Sequence, residues 1–118
     1  MLFLNKEDIA KSVDLNGMMD QIEEAYRIFG SGEFYMPHRP TIMHDNVTIL
    51  YMPCFTEKSL GTKMLTICPE NSKLGLPSID GLLIMNDRKT GKPLAILDGQ
   101  SVTAYRTGAV AGVGIRHL

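Results

Sequence analysis

The sequence has no tryptophan, only two cysteines among 118 residues, no excess of one charge sign and no long apolar run, and each absence excludes a class of function. The longest apolar stretches, Gly81 to Met85 and Gly108 to Val113, fall far short of the ~20 residues that cross a bilayer. The opening Met1-Leu-Phe-Leu-Asn-Lys-Glu-Asp lacks the basic segment followed by an apolar one that marks a secretory leader. A cytoplasmic chain without a membrane partner is expected. With 12 Lys and Arg against 13 Asp and Glu, the formal net charge of −1 provides no field to attract nucleic acid. Cys54 and Cys68 have neither Cys-x-x-Cys nor Cys/His spacing, so buried free thiols are expected rather than a disulfide or zinc site. His38, His44 and His117 lack companions at ligand spacing, and no metal is expected.

What is present suits a folded core. The composition is 44% hydrophobic and 21% charged, inside the globular range, and the length allows one ordinary domain, residues 1–118. A chain this size hides roughly two-thirds of its unfolded surface, so a large exposed apolar patch would signal a missing partner. Asn5 is placed to cap a short helix carrying Ile9, Ala10 and Val13, with Glu7 and Asp8 in its first turn. Met18, Ile22, Ala25, Tyr26 and Phe29 form the stripe of a second helix, stopped by Gly30-Ser31-Gly32. Strands are expected at Val47 to Met52 and Thr62 to Cys68, then an ordered loop from Pro69 to Gly81. Leu82 to Asn86 and Pro93 to Leu97 read as a hairpin, with Gly91 at positive φ. Ser101 or Thr103 is placed to cap a last helix containing Arg106, Ala109, Val110 and Val113. The fold class is α+β: two N-terminal helices, a sheet of four or more strands with antiparallel hairpins, and a C-terminal helix.

Three cations stand where apolar side chains are expected. Lys63 shares a strand face with Leu65 and Ile67. Arg106 lies on the stripe of Val102, Ala109, Val110 and Val113. Arg39, between His38 and Pro40, is biased towards extended backbone by the following proline. Cations near a core need anions. Two sources are open: a structural acid, Asp80 or Asp98, or an external carboxylate, which the planar fork of Arg and the point charge of Lys would hold together. Gly112-Val-Gly-Ile-Arg-His begins like a dinucleotide fingerprint. His117 occupies the third glycine's place, however, and a helical stretch precedes the run, so it reads as small-residue helix packing.

Met36-Pro-His-Arg-Pro, Leu60-Gly-Thr-Lys-Met, Pro69-Glu-Asn-Ser with Gly75-Leu-Pro, Thr90-Gly-Lys-Pro-Leu-Ala-Ile-Leu-Asp-Gly and Val102-Thr-Ala-Tyr-Arg-Thr-Gly-Ala occur in the order found in the ornithine cyclodeaminase/mu-crystallin family. The chain resembles the N-terminal part of that family. The resemblance implies a substrate-binding and dimerisation domain with an open-barrel-like, mixed sheet, followed in the parent by a Rossmann domain. It implies an NAD(P)-dependent parent acting on small amino or imino acids: ornithine cyclodeamination, or alanine- or ketimine-type redox chemistry. By motif position it assigns Arg39, Lys63 and Arg106 to the substrate carboxylate, a catalytic role to Lys63, and proximity to the cofactor to Thr107. NAD or NADP would belong to the full-length parent and not be held strongly by this chain alone, which is expected to be a homodimer without turnover. The other reading is a stand-alone dimerisation or ligand-binding module without catalysis. Ornithine cyclodeaminases resemble this chain except that they carry an acid in the strand of Val47 to Met52, where it has Leu50. Ornithine is therefore disfavoured as substrate.

Overall fold

The computed structural model describes residues 1–118. One mixed seven-stranded sheet runs through the chain: β1 (Leu2–Leu4), β2 (Phe34–Tyr35), β3 (Thr41–His44), β4 (Val47–Thr56), β5 (Leu60–Ile67), β6 (Ile79–Asn86) and β7 (Pro93–Asp98). Its order is β1-β7-β6-β5-β4-β2, with β3 also paired to β4. All pairings are antiparallel except β1 with β7. The sheet is not closed into a barrel. Helices α1 (Lys6–Ser12), α2 (Leu15–Ser31) and α3 (Gly99–Arg116) complete the α+β fold, with a 3₁₀ turn at Pro69–Leu74.

Several local expectations are met for the physical reasons that motivated them. Asn5 accepts from the Asp8 backbone N–H at 2.9 Å while its own N–H donates to the Asp8 carboxylate at 3.1 Å, a reciprocal cap on α1. Gly32 ends α2 with φ 76°, and Gly91 turns the β6–β7 hairpin with φ 73°. The strands run longer than expected. β4 continues through Pro53 to Thr56 because the Tyr51 N–H points outward to the Pro40 carbonyl, which puts position 53 on that same outer edge, between the ends of β3 and β2. A missing N–H costs nothing where no partner strand lies. β6 begins at Ile79, inside the segment expected to be loop, and β1, β2 and β3 are too short to show a pattern in sequence.

The start of α3 differs from expectation. Asp98, not Ser101 or Thr103, is the cap: its carboxylate accepts from both the backbone N–H and the hydroxyl of Ser101. Gly99 enters the helix directly, seated against the backbone of Gly81 on β6, where a side chain would not fit. The bonds from Ser101 hold the Asp98 carboxyl below its ordinary range. With the folded-state pKa depressed, the cap contributes fully above about pH 4 and is lost as pH falls through the lowered value. Asp98→Ala is therefore expected to destabilise by about 1 kcal/mol near neutral pH. In thermal melts from pH 2 to 7 the variant's deficit should shrink on the acid side.

The helices occupy one side of the sheet. Thr103 on α3 reaches Lys63 on β5, and α1 and α2 pack on α3. At Gly112, where α2 crosses α3, an added Cβ would lie 2.4 Å from the Met19 sulfur, so Gly112 serves helix packing, whereas a Cβ on Gly114 would meet nothing within 4 Å. No helix lies on the opposite face, where alternation places Phe3, Tyr35, Ile42, Tyr51 and Leu82, all exposed. Only five of 118 residues are buried, and the two cysteines, which are free, are half-buried rather than buried. On α2, three of the five residues of the expected stripe (Ala25, Tyr26 and Phe29) are open to solvent. The accessible surface of 8308 Å² exceeds the roughly 6,400 Å² of an ordinary 13.1 kDa monomer. No helix is long and apolar enough to cross a membrane.

Candidate functional site

The site is built on a row across the sheet. Met52, Lys63, Leu83 and Leu97 are successive cross-strand partners on β4, β5, β6 and β7, so their side chains leave the same face. Lys63 is the charged member of that row. Continuing the β3–β4 register beyond Pro40 and Tyr51 sets Arg39 opposite Met52, two strands from Lys63 and about 10 Å away at the backbone.

Helix α3 lies over this face and carries the other two predicted residues. The half-buried Lys63 ammonium donates to the Thr103 hydroxyl at 2.5 Å. Arg106 lies one turn further along α3. Burial first, and the charge of Arg106 second, hold the Lys63 ammonium below its ordinary pKa. Arg106 shares the backbone stripe of the buried Ala109 and Val113, but its head group is exposed rather than turned into the core. A long side chain can leave an apolar stripe in this way. Arg39 is exposed, and one guanidinium nitrogen lies 2.6 Å from the Met36 sulfur. The structure thus brings Lys63 and Arg106 together with Thr103, while Arg39, just outside the paired residues of β3, bonds to Met36 and to none of them.

None of the three cations has an acidic partner. The ion pairs join Arg27 to Glu24, Lys73 to Glu70, Arg116 to Asp20 and Glu23, and two histidines to neighbouring acids. Asp80 accepts from the N–H of Gly81, and Asp98 is used as the α3 cap. Both structural acids open to the cations in sequence are engaged elsewhere. A pair of cations, one half-buried among aliphatic side chains, is an incomplete electrostatic arrangement that a small anion would complete.

Thr103 was not singled out for this site by sequence reasoning, which saw in it a cap. Its signal is the i, i+3 spacing from Arg106, which sets both on one side of α3. Thr107, the proposed cofactor contact, is exposed on α3 beside Gly108, where an added Cβ would meet nothing within 4 Å. The face is open to an approaching group. These residues do not form a pyrophosphate cradle, since Gly112 and Gly114 lie within α3 rather than at a strand-to-helix turn. No group of three His, Cys, Asp or Glu side chains converges. A cleft of about 820 Å³ lies between α2 and β4, away from Lys63 and Arg106. Its rim carries four acids, Asp20, Glu24, Glu33 and Glu57, against two cations, Arg27 and Lys58, a net negative lining that disfavours an anionic occupant.

Similarity to known proteins extends over nearly the whole chain. It is 35% identical over 122 residues to a Delta(1)-pyrroline-2-carboxylate reductase of Bacillus cereus strain ZK / E33L, spanning 100% of this chain and 38% of that protein. It is 31% identical over 117 residues to an alanine dehydrogenase of Archaeoglobus fulgidus, spanning 99% of this chain and 36% of the relative. The solved Delta(1)-pyrroline-2-carboxylate reductase of Thermococcus litoralis, in complex with NADH and L-proline, superposes with a TM-score of 0.86 at 38% identity. That match covers 95% of this chain and 36% of the other. The chain therefore spans less than two-fifths of the length of these relatives. Residues 1–118 match the model of one family along their full extent, and the chain belongs to the ornithine cyclodeaminase/mu-crystallin family.

Proposed function

We propose that residues 1–118 form the substrate-binding and dimerisation domain of an NAD(P)-dependent oxidoreductase of small amino or imino acids. Arg39, Lys63 and Arg106 would hold the substrate carboxylate. The observation that carries this reading is that Lys63 and Arg106 lie together without an acidic partner, while Asp80 and Asp98 are engaged elsewhere. Binding a carboxylate there would fix the α-carbon relative to the sheet, and orientation of this kind supplies several kcal/mol of barrier lowering. The nicotinamide, held mainly by residues beyond these 118, would exchange a hydride with that carbon, and Thr107 would lie towards it. Lys63, made more acidic by burial and by Arg106, suits proton delivery to the substrate nitrogen.

The substrate class follows from the face that Lys63 occupies. Leu50 pairs with Leu65, two positions along from Met52 and Lys63, so Leu50 projects from the same face. An aliphatic group there offers nothing to a second amine. This supports a short or cyclic apolar substrate, of the pyrroline-2-carboxylate and proline type, over ornithine. The uncovered apolar face supports a second copy of the chain as its cover, because a surface roughly 1.3 times the ordinary monomer's has ample area for a standard interface.

The test is a titration of the 118-residue chain with pyrrole-2-carboxylate and L-proline, followed by amide and side-chain NMR. Shifts are expected at Lys63, Thr103 and Arg106, with weaker binding of L-ornithine, sedimentation as a dimer, and no turnover of Delta(1)-pyrroline-2-carboxylate with NADH. Turnover by the pure chain, or carboxylate binding unaffected by joint Lys63→Ala and Arg106→Ala substitution, would overturn this assignment.

A further inference from the structure

We propose that Thr103 is the positioning residue of the carboxylate site: its hydroxyl fixes the Lys63 ammonium so that the remaining N–H donors face the substrate. The inference rests on the carboxylate-binding reading above and adds a residue to it.

A lysine ammonium is a rotatable three-donor group on a flexible four-carbon stem, so nothing in the side chain itself selects a direction. The surroundings of Lys63 do. Its cross-strand neighbours Met52 and Leu83 offer no oxygen or nitrogen acceptor, and the nearby charge on α3, Arg106, repels it. Thr103 is the acceptor that remains, 2.5 Å away and 40 residues distant in sequence. It is also a stiff one. A β-branched residue in a helix has few χ1 choices, and the helix is seated one turn earlier, where Gly99 meets the Gly81 backbone. A fixed acceptor on one donor leaves two donors for the substrate, one for a carboxylate oxygen shared with the Arg106 fork and one towards the substrate nitrogen. Thr103 itself is not assigned to substrate. It acts through Lys63, as outer groups that orient a ligand's direct contacts commonly do.

The experiment compares the 118-residue chain with Thr103→Val, which keeps the shape and removes the acceptor, and Thr103→Ser, which keeps the acceptor. Two quantities are read: affinity for pyrrole-2-carboxylate, and the titration of Lys63 followed by NMR of its 13C-labelled Cε. Thr103→Val is expected to weaken binding about tenfold. It should also move the Lys63 pKa further down, because the charged form loses its hydrogen bond. Thr103→Ser should stay within about twofold of the parent in affinity and keep its titration. A purely structural role would show as lost stability without the selective rescue by serine. If the parent chain binds and Thr103→Val binds equally, or if the Lys63 titration does not move, the positioning role is overturned while the carboxylate site stands. If the parent chain itself binds no pyrrole-2-carboxylate, the carboxylate reading fails, and this one with it.

Discussion

Lys63→Met is expected to weaken carboxylate binding at least 30-fold while making the chain more stable. The two effects have one origin. The Lys63 ammonium is held half-buried among Met52, Leu83 and the base of α3 without an acidic partner, so the folded state carries an uncompensated desolvation cost that a ligand would relieve. Removing one partner of a close charge pair costs about 2 kcal/mol or more, roughly a 30-fold change in Kd. Replacing the ammonium by a thioether of similar length removes the desolvation cost. A gain of about 1 kcal/mol is expected, raising Tm by roughly 5 °C. The pH dependence has a definite sign. Because folding lowers the Lys63 pKa, the folded chain binds fewer protons than the unfolded chain between the lowered value and the ordinary lysine value. Stability contributed by this residue therefore rises as pH climbs through that interval, and Lys63→Met should lose the rise. Parallel melts of both chains from pH 7 to 10.5, with calorimetric titration of pyrrole-2-carboxylate at pH 7, read both effects. A variant less stable than the parent and still binding would refute the idea of an ammonium held for an external anion.

The parts of this site that sequence could show are those whose signal is local. Lys63 stands out because period-two alternation sets a charge between apolar residues. Arg106 stands out because a helical stripe is interrupted. Their proximity is a long-range fact: β5 and α3 meet because Gly81 and Gly99 allow the backbones of β6 and α3 to touch, and neither glycine announces that from its neighbours. The same reasoning explains the misplaced cap. Asp98 reads as the end of a strand, and its pairing with Leu82 confirms that, yet its carboxylate simultaneously opens a helix. A residue that ends one element and begins the next gives conflicting local cues. The stripe on α2 was legible as amphipathic, whereas the exposure of Tyr26 and of Phe29, which stacks on the ring of Phe34, was not, because periodicity reports which face is apolar and not what covers it. Arg39 was legible only through the motif that surrounds it. Its row with Lys63 depends on a register carried across two strand pairings, of which the short β3 is one.

The close contact between α3 and β6 makes the second large effect a matter of one methyl group. A Cβ on Gly99 would lie 2.6 Å from the Gly81 carbonyl oxygen, 2.7 Å from its carbon and 3.0 Å from the Leu82 nitrogen, all backbone atoms of a central strand. None of them can rotate away, so Gly99→Ala must lift the first turn of α3 or bend β6. Overpacking of this kind costs about 1–3 kcal/mol, and here the displacement falls on the turn before Thr103 and Arg106. Gly99→Ala is expected to lower Tm by roughly 10 °C and, in chain that remains folded at low temperature, to break the Lys63–Thr103 bond and weaken carboxylate binding. Gly108→Ala, nine residues along the same helix, is the control. Its Cβ meets nothing within 4 Å, and the exchange gains helix propensity of about 0.5–1 kcal/mol, so Tm should rise with binding unchanged. Helix propensity favours alanine at both positions. Opposite signs in the two melts would therefore isolate the steric contact with Gly81, and a harmless Gly99→Ala would show that α3 is not held against the sheet at the distance that lets Thr103 reach Lys63.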